Sequence, residues 1–372
     1  MNQPPLVDYA PALQLLALAG TLALLALSWV WLRRPGADTA ARVAALSALT
    51  LFLTFDLVVF GAFTRLTDSG LGCPDWPGCY AQASPLAAHR EIHAAQTAAQ
   101  GGPVSWSKAW IEMIHRYLAM TVGALILVLA ALAWSERRRL PLSPWWPTLT
   151  LAWVVVQGMF GRFTVTLKLY PAVVTLHLLG GLVLLALLAW QQARWAPRAL
   201  ALPAPLRRWA LVALAALAVQ ITLGGWVSTN YAVLACTGFP QCNGQWWPAM
   251  DFGHGFTVLR GLGDAHEGRG LTLEALVAVH MAHRLFAAVA VVVLGALAWQ
   301  LRRVRDGGVR ALGRGLVLLL LVQLGSGISN VVLGWPLAAA VAHSAGAAAL
   351  VLLLTMLLAR SSARMQGAAA AA

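Results

Sequence analysis

Charge is scarce in this sequence. Only 10% of its 372 residues are charged and Asp and Glu together number 13, whereas 60% are hydrophobic. Soluble globular proteins carry about 25% charged residues, so the shortage argues against a soluble protein. Cysteine is also rare, with 4 residues, which excludes the disulfide-dense scaffolds of small secreted domains. What remains in abundance is apolar sequence, and its distribution indicates a membrane protein.

Apolar runs of about 20 residues recur along the whole chain, the length that a helix needs to cross a hydrocarbon core of about 30 Å. The predicted fold is therefore an all-α polytopic membrane protein of about nine transmembrane helices. They are placed near residues 11–32, 42–63, 109–134, 146–166, 172–191, 208–229, 273–300, 313–333 and 337–359.

The net charge of +13 is unevenly distributed. Most of the 26 basic residues lie in alternate connections or the tail, namely Arg33, Arg34, Arg42, Arg137, Arg138, Arg139, Arg194, Arg198, Arg207, Arg208, Arg302, Arg303, Arg305, Arg310, Arg314, Arg360 and Arg364. The positive-inside rule places these segments and the C-terminus in the cytoplasm and the N-terminus in the periplasm. The excess charge sets topology, so no nucleic-acid partner is expected. With neither a cleavable signal nor a transit peptide evident, a bacterial inner membrane and its lipid are the expected environment.

The chain contains an internal duplication. Five features recur in the same order at an offset of 163 to 168 residues: the segments starting at Gly61 and Gly224, the pairs Cys73/Cys79 and Cys236/Cys242, His115-Arg116 and His283-Arg284, Gln157/Gly161 and Gln323/Gly327, and His177 and His343. The sequence thus predicts two parallel four-helix repeats, at 41–192 and 207–360. Residues 1–40 supply an extra N-terminal helix, and 361–372 form a tail predicted to be disordered.

Four histidines lie inside predicted helices at matched depth. His115 and His177 belong to the first repeat, and His283 and His343 to the second. Each lies about 9–15 Å below the outer end of its helix. Ionisable residues inside a membrane are costly and usually functional, and paired imidazoles are ligands for haem iron. Each repeat lacks the three or four clustered ligands of a zinc site. The histidines therefore predict two haem sites, with hydrogen bonds between helices as the alternative.

Glu112 precedes His115 by one helical turn, and His280 occupies the corresponding position of the second repeat. A buried carboxylate is suited to accept and return protons, so Glu112 is the candidate catalytic residue. Its presence in one repeat only predicts chemistry in the first half and electron transfer in the second. The alternative is an interfacial ion pair between Glu112 and Arg116. His280 is a rival to His283 as a ligand.

The remaining polar positions give weaker predictions. Candidate contacts to haem propionates are Arg116 and Arg284, with Arg65, Arg162 and Lys168 as weaker candidates for the same role. Asp56 is left unexplained, and His89, His93, His254 and His266 are assigned to solvated loops. The exterior loops also hold all four cysteines, and their short spacing predicts that Cys73 pairs with Cys79 and Cys236 with Cys242.

At these residues the sequence resembles the haem A synthase family. The run Gly61–Cys79 resembles the first-loop signature of that family, and Glu112-Met113-Ile114-His115-Arg116 its Glu-x-x-His-Arg motif. Thr164-Val165, Pro171, His177 and His343 follow in the expected order, so that the resemblance covers about residues 42–360. The core of that family has eight helices, which makes the first helix here an extension.

The resemblance implies an oxidoreductase that converts the C8 methyl group of haem O to a formyl group by successive hydroxylations, with water as the oxygen source. It implies substrate haem O bound by His115 and His177, haem b bound by His283 and His343, and Glu112 as the essential carboxylate. Expected partners are the farnesyltransferase that makes haem O, cytochrome oxidase assembly factors and an unidentified electron acceptor, with homo-oligomers left open. The rivals are a b-type quinol-oxidising electron-transfer subunit, a membrane thiol–disulfide oxidoreductase and a non-enzymatic haem carrier.

Overall fold

The protein is described from a computed structural model that covers residues 10–99, 101–195, 199–260 and 270–370, with side chains as far as Ser361. The predicted loop residues Arg198 and His266 and the side chain of Arg364 lie outside this description. Within it the regular structure is helical, apart from two isolated β-bridges that join Cys79 to Gln82 and Cys242 to Gln245.

Eleven α-helices follow one another along the described chain. They are α1 (Ala10–Arg33), α2 (Thr39–Leu66), α3 (His89–Ala98), α4 (Trp106–Ser135), α5 (Trp145–Thr166), α6 (Pro171–Ala193), α7 (Ala204–Thr229), α8 (Phe252–Gly255), α9 (Leu273–Leu301), α10 (Gly307–Val332) and α11 (Leu337–Ala370). All except α3 and α8 are long and apolar enough to cross a membrane, which gives 9 candidate spans in the part of the chain described. The predicted class, an all-α polytopic membrane protein, is confirmed.

Several helix boundaries follow from local chemistry. Asp38, Ser105 and Thr272 each accept a hydrogen bond from a backbone N–H in the first turn of α2, α4 and α9. Pro171 opens α6, where a missing N–H costs nothing. At the other end of the chain α11 continues to Ala370, through most of the tail where disorder is predicted. Alanine has the highest helix propensity of all residues, and this tail is rich in it.

The described chain forms two compact units, Met1–Leu169 and Tyr170–Ala372. In the first unit α4 is central and packs against α1, α2, α3 and α5. The extra N-terminal helix therefore has a defined place, with its Leu15 in the apolar cluster that also contains Cys73, Cys79 and Met113.

In the second unit α7, α9, α10 and α11 pack in a ring, and α6 lies against α7 and α11. The unit boundary thus precedes α6, whereas the repeat places α6 at the end of the first four-helix set. The assignment of 41–192 and 207–360 as two bundles stays a prediction.

Both cysteine-containing loops are closed by a disulfide within the loop. Cys73 bonds to Cys79 and Cys236 to Cys242, with Cα–Cα distances of 4.9 Å and 4.8 Å. The pairing agrees with the prediction from spacing. The first loop is further held by the carboxylate of Asp75, which accepts hydrogen bonds from the N–H groups of Tyr80 and Ala81 at 2.7 and 2.6 Å.

Candidate functional site

Three of the four candidate ligand histidines lie directly over a glycine of a neighbouring helix. A Cβ atom built on Gly61 would lie 2.9 Å from Nε2 of His115, and one built on Gly224 would lie 2.9 Å from Cε1 of His283. On Gly327 it would lie 3.1 Å from Cε1 of His343. A side chain larger than hydrogen would force the ring to shift at Gly61 and Gly224 and would crowd it at Gly327, so the glycines allow the rings to lie where they do.

The second unit contains a pair of these histidines. His283 lies on α9 and His343 on α11, two helices of the ring that α7, α9, α10 and α11 form. The Nδ1 atom of His343 lies 3.0 Å from the hydroxyl oxygen of Ser326. A ring that donates its Nδ1–H to a neighbouring oxygen keeps Nε2 free for a metal, the usual arrangement at metal-binding histidines.

Gln220 contacts His283 twice. Its amide nitrogen lies 3.1 Å from Nδ1 of His283 and 3.3 Å from the carbonyl oxygen of the same residue, while its buried Oε1 has no hydrogen-bond partner in the described chain. Gln220 therefore restrains both the ring and the backbone of His283. Comparison of the two repeats did not reveal Gln220, because Leu57 occupies the corresponding position of the first repeat.

His280 is engaged elsewhere. The residue is buried, and its Nδ1 lies 2.9 Å from the carbonyl oxygen of Ala232, just before the second cysteine loop. This is the ordinary role of a buried histidine, a hydrogen bond to backbone. The bond leaves Nε2 of His280 unused, so it does not by itself separate the two candidates on α9. His283 is favoured because, like His115 and His343, it lies against a glycine of a neighbouring helix.

Glu112 occupies the corresponding position on α4. It is 4% exposed, and its Oε2 accepts a hydrogen bond of 2.8 Å from the N–H of Cys73. Its Oε1 forms an ion pair with Arg116, which is also buried. The pairing with Arg116 that was the alternative for Glu112 is therefore present, but in a buried position instead of at an exposed interface. A carboxylate oxygen has two lone pairs, so each can still accept a further proton or hydrogen bond.

Arg116 and Arg284 bind the loops that the disulfides close. Arg116 donates to the carbonyl oxygens of Asp75, Pro77 and Gly78. Arg284 donates to those of Cys236, Gly238 and Gln241, at 3.0 to 3.2 Å. Sequence reasoning missed these contacts, because loop carbonyls leave no mark in side-chain patterns. The predicted contacts to propionates stay predictions.

The other candidate residues are dispersed. His115 lies on α4 with its ring stacked on Phe60, at a centroid distance of 6.4 Å. His177 lies on α6, in the second unit, and its buried Nδ1 has no hydrogen-bond partner among the described residues. Arg65 pairs with Asp68, and Arg162 and Lys168 are exposed. Asp56 lies half-buried within α2, and the exposed His89 and His93 stack on each other along α3.

These residues suit haem iron. The imidazole rings of His283 and His343 belong to one unit, each has a hydrogen-bonding side chain at Nδ1, and each rests on a glycine. Neutral imidazole on facing helices is the donor set that a bundle offers to haem. In the first unit His115 has the same glycine contact.

Comparison with known proteins identifies the family. The model of the cytochrome oxidase assembly protein family matches residues 44–355, which include all four histidines and Glu112. The chain belongs to this family. The resemblance found in the sequence is thereby confirmed.

Individual members of the family are similar over most of their length. A protein of Shewanella oneidensis named haem A synthase is 40% identical over 307 residues, 80% of this chain and 90% of the relative. Haem A synthases of Methylorubrum extorquens and Halalkalibacterium halodurans are 32% and 28% identical, over 83% and 76% of this chain and 83% and 85% of the relatives.

Proposed function

We propose that this protein is a haem A synthase, which oxidises the C8 methyl group of haem O to a formyl group. The observation that carries the proposal is the 40% identity, over 90% of its length, to a relative of that name. The family match spans every candidate ligand and Glu112, so that the likeness includes the site itself.

The proposed reaction removes four electrons in two steps. In each step one C–H bond breaks and one C–O bond forms with oxygen from water, releasing two electrons and two protons. The second step gives a geminal diol, which loses water to leave the formyl group. The protein must therefore dispose of four protons and pass four electrons to an acceptor.

The two repeats divide this work in the proposal. His283 and His343 hold a resident haem b, which supplies an electron-transfer centre when bound. His115 and His177 hold the substrate haem O in the first repeat. The pairing of His283 with His343 in one unit and the hydrogen-bond partners at both rings support the first assignment. The glycine contact of His115 and the unpaired Nδ1 of His177 support the second.

Glu112 is the proposed proton acceptor. It lies one turn from His115 and is buried, and its free lone pairs can accept a proton from the attacking water. The bond from the Cys73 N–H fixes the carboxylate against the first loop, so protons would leave towards that loop. The ion pair with Arg116 holds the carboxylate in place, so that the group would keep its orientation while it takes up and releases protons.

The proposal includes a setting. The protein lies in a bacterial inner membrane with its N-terminus in the periplasm, receives haem O from a farnesyltransferase and supplies haem A to cytochrome oxidase assembly. The 9 apolar spans of the described chain and the arginine-rich alternate connections support this setting. The thiol–disulfide alternative is disfavoured because all four cysteines are buried, at 0 to 2% exposure, which hinders exchange with a partner.

The test is to replace Glu112 with Gln in cells that co-express a haem O synthase. An amide keeps the shape but cannot exchange the proton, and loss of a general base typically slows a reaction about 10²–10⁴-fold. Extracted pigment should then contain haem O with only traces of haem A. The matched control is Glu91→Gln, an exposed carboxylate on α3 of the same exterior loop, which should leave haem A unchanged.

Normal haem A output from Glu112→Gln would remove Glu112 from the mechanism. Loss of the bound haem spectrum in the same variant would make Glu112 a structural residue. Absence of haem A from wild-type cells, with haem B alone bound, would favour the electron-transfer alternative.

A further inference from the structure

The contact between an arginine and a cysteine loop is duplicated in detail. Arg116 and Arg284 are repeat partners, and two of the three carbonyl groups that each binds correspond at the offset of 163 residues: Asp75 to Gly238 and Gly78 to Gln241. The acceptors are backbone groups, so the side chains there were free to change while the contact remained. A contact retained through such change is part of what each repeat needs.

In the second repeat the arginine contacts its loop without a charged partner. Arg116 has Glu112 as a charged partner, whereas Arg284 is in no ion pair among the described residues. The guanidinium of Arg284 is held by carbonyl dipoles from Cys236, Gly238 and Gln241, which lie within the short loop that Cys236–Cys242 closes. The disulfide keeps these carbonyl groups directed at one point.

Arg284 follows His283 in sequence, and the two side chains point in different directions. His283 lies against Gly224 on α7, while Arg284 reaches the loop. Successive residues of a helix differ by about 100° in direction, so two contacts at adjacent positions fix both the depth and the rotation of that turn. Groups that orient a metal ligand from outside typically change metal affinity about 10–100-fold when they are removed.

We infer that Arg284 is a positioning residue, which sets the orientation of His283 by binding the carbonyl groups of the Cys236–Cys242 loop. The state of the exterior disulfide is thereby transmitted to the haem site of the second repeat. This inference rests on the proposed role of His283 as a haem ligand, but the contact between Arg284 and the loop does not.

Two measurements on Arg284→Ala test the inference. First, the purified protein is titrated with dithiothreitol and the thiols of Cys236 and Cys242 are alkylated and counted by mass spectrometry. Loss of the charge-assisted hydrogen bonds should open the loop and lower the dithiothreitol concentration for half reduction about tenfold. Second, haem content and the low-spin electron paramagnetic resonance signal are recorded. Haem retention should fall about 10–100-fold and the remaining signal should shift.

Two further variants serve as comparison. Arg284→Lys keeps the charge but has no planar fork to bind several carbonyls, so it should give intermediate values in both measurements. Arg302→Ala removes the same charge at the other end of α9, where the side chain is exposed, and should match wild type in both.

The outcomes distinguish a failure of the inference about Arg284 from a failure of the proposed function. Easier reduction together with an altered haem signal supports the inference. Easier reduction with an unchanged signal would overturn it, because the loop would be held without effect on His283. Unchanged reduction would also overturn it. If wild-type protein bound no haem b, the proposed function would fail while the thiol titration still decided whether Arg284 holds the loop.

Discussion

The two repeats differ most clearly at one helical position. On α4 this position is Glu112, whose carboxylate joins the N–H of Cys73 to the guanidinium of Arg116. On α9 it is His280, whose ring bonds to the carbonyl of Ala232. In both cases the residue ties its helix to the adjoining exterior loop. What differs is the charge, since one repeat gained or kept an acid where the other has a neutral ring.

The two repeats share the contacts that hold the candidate sites in place and differ in the residue that could transfer protons. The glycine contact of the ligand, the disulfide and the arginine–carbonyl contact occur in both repeats. The carboxylate occurs in one. In the proposed function the duplicated fold supplies two similar haem sites, and a single residue beside one of them assigns proton transfer to that site.

The largest effect should come from the ligands of the second repeat. His283→Ala or His343→Ala should abolish binding of the resident haem b, because each removes one iron ligand. His280→Ala should keep that haem and lose only about 1–3 kcal/mol of stability, since it leaves the carbonyl of Ala232 unpaired. The measurement is haem content by absorption spectroscopy, with thermal unfolding alongside.

Substitutions of the first-repeat ligands sharpen the same prediction. His115→Ala and His177→Ala should retain haem b while losing haem O. If either removed the resident haem, or if His280→Ala did, the assignment of sites to repeats would be wrong.

A smaller but sharper effect is expected at Gly224. Gly224→Ala places a methyl group 2.9 Å from the ring of His283, whereas Gly295→Ala, on α9, meets nothing within 4 Å. Haem retention should fall about 10–100-fold in the first variant, because the ring must move. The second should be neutral or stabilise its helix by up to about 1 kcal/mol. Equal haem contents in the two variants would contradict a fixed ring.

The smallest effect concerns the loop that precedes α9. The pKa of Asp251 is lowered, chiefly by the hydrogen bond from the ring of His254, and the pKa of His254 is raised by the same bond. The Asp251 carboxylate stops stabilising α8 as pH falls through a value below 3.8. The protonated ring of His254 stops stabilising it as pH rises through a value above 6.5. The short helix α8 should therefore be best protected between these limits.

Hydrogen exchange at the amide of His254 measures this protection. In the first repeat α3 is anchored instead by the buried Ile92, an apolar side chain whose contact is independent of pH. Its protection, corrected for intrinsic exchange, should therefore vary less. Equal pH profiles for α3 and α8 would show that the Asp251–His254 pair has no influence on the loop.

Much of the fold was predictable because the membrane imposes it. Each apolar run became a helix, since backbone groups in lipid must be bonded within the segment. Most limits lie within a few residues of the expected ones, but α10 begins six residues earlier and α11 ends eleven residues later. The cysteine pairs were predictable from spacing alone. The short helices α3 and α8 were not, because they lie in polar loops where tertiary contacts decide the conformation.

The sequence predicted only part of the candidate site. Repeated glycines such as Gly61 and Gly224 marked the duplication, but their contact with His115 and His283 depends on how the helices pack. Arg116 and Arg284 were expected to meet propionates, and their loop partners could not be foreseen because backbone carbonyls are present at every residue. The packing of α6 against α7 and α11 likewise depends on contacts between distant segments.

The position of His343 on the last helix has a consequence for biosynthesis. A chain is synthesised from its N-terminus, so α1 and α2 enter the membrane before α4, which packs against both of them. His283 on α9 is made early by comparison with His343 on α11. A haem that needs both of these proposed ligands can be bound only after α11 has been made. A chain truncated before His343 would therefore emerge without it.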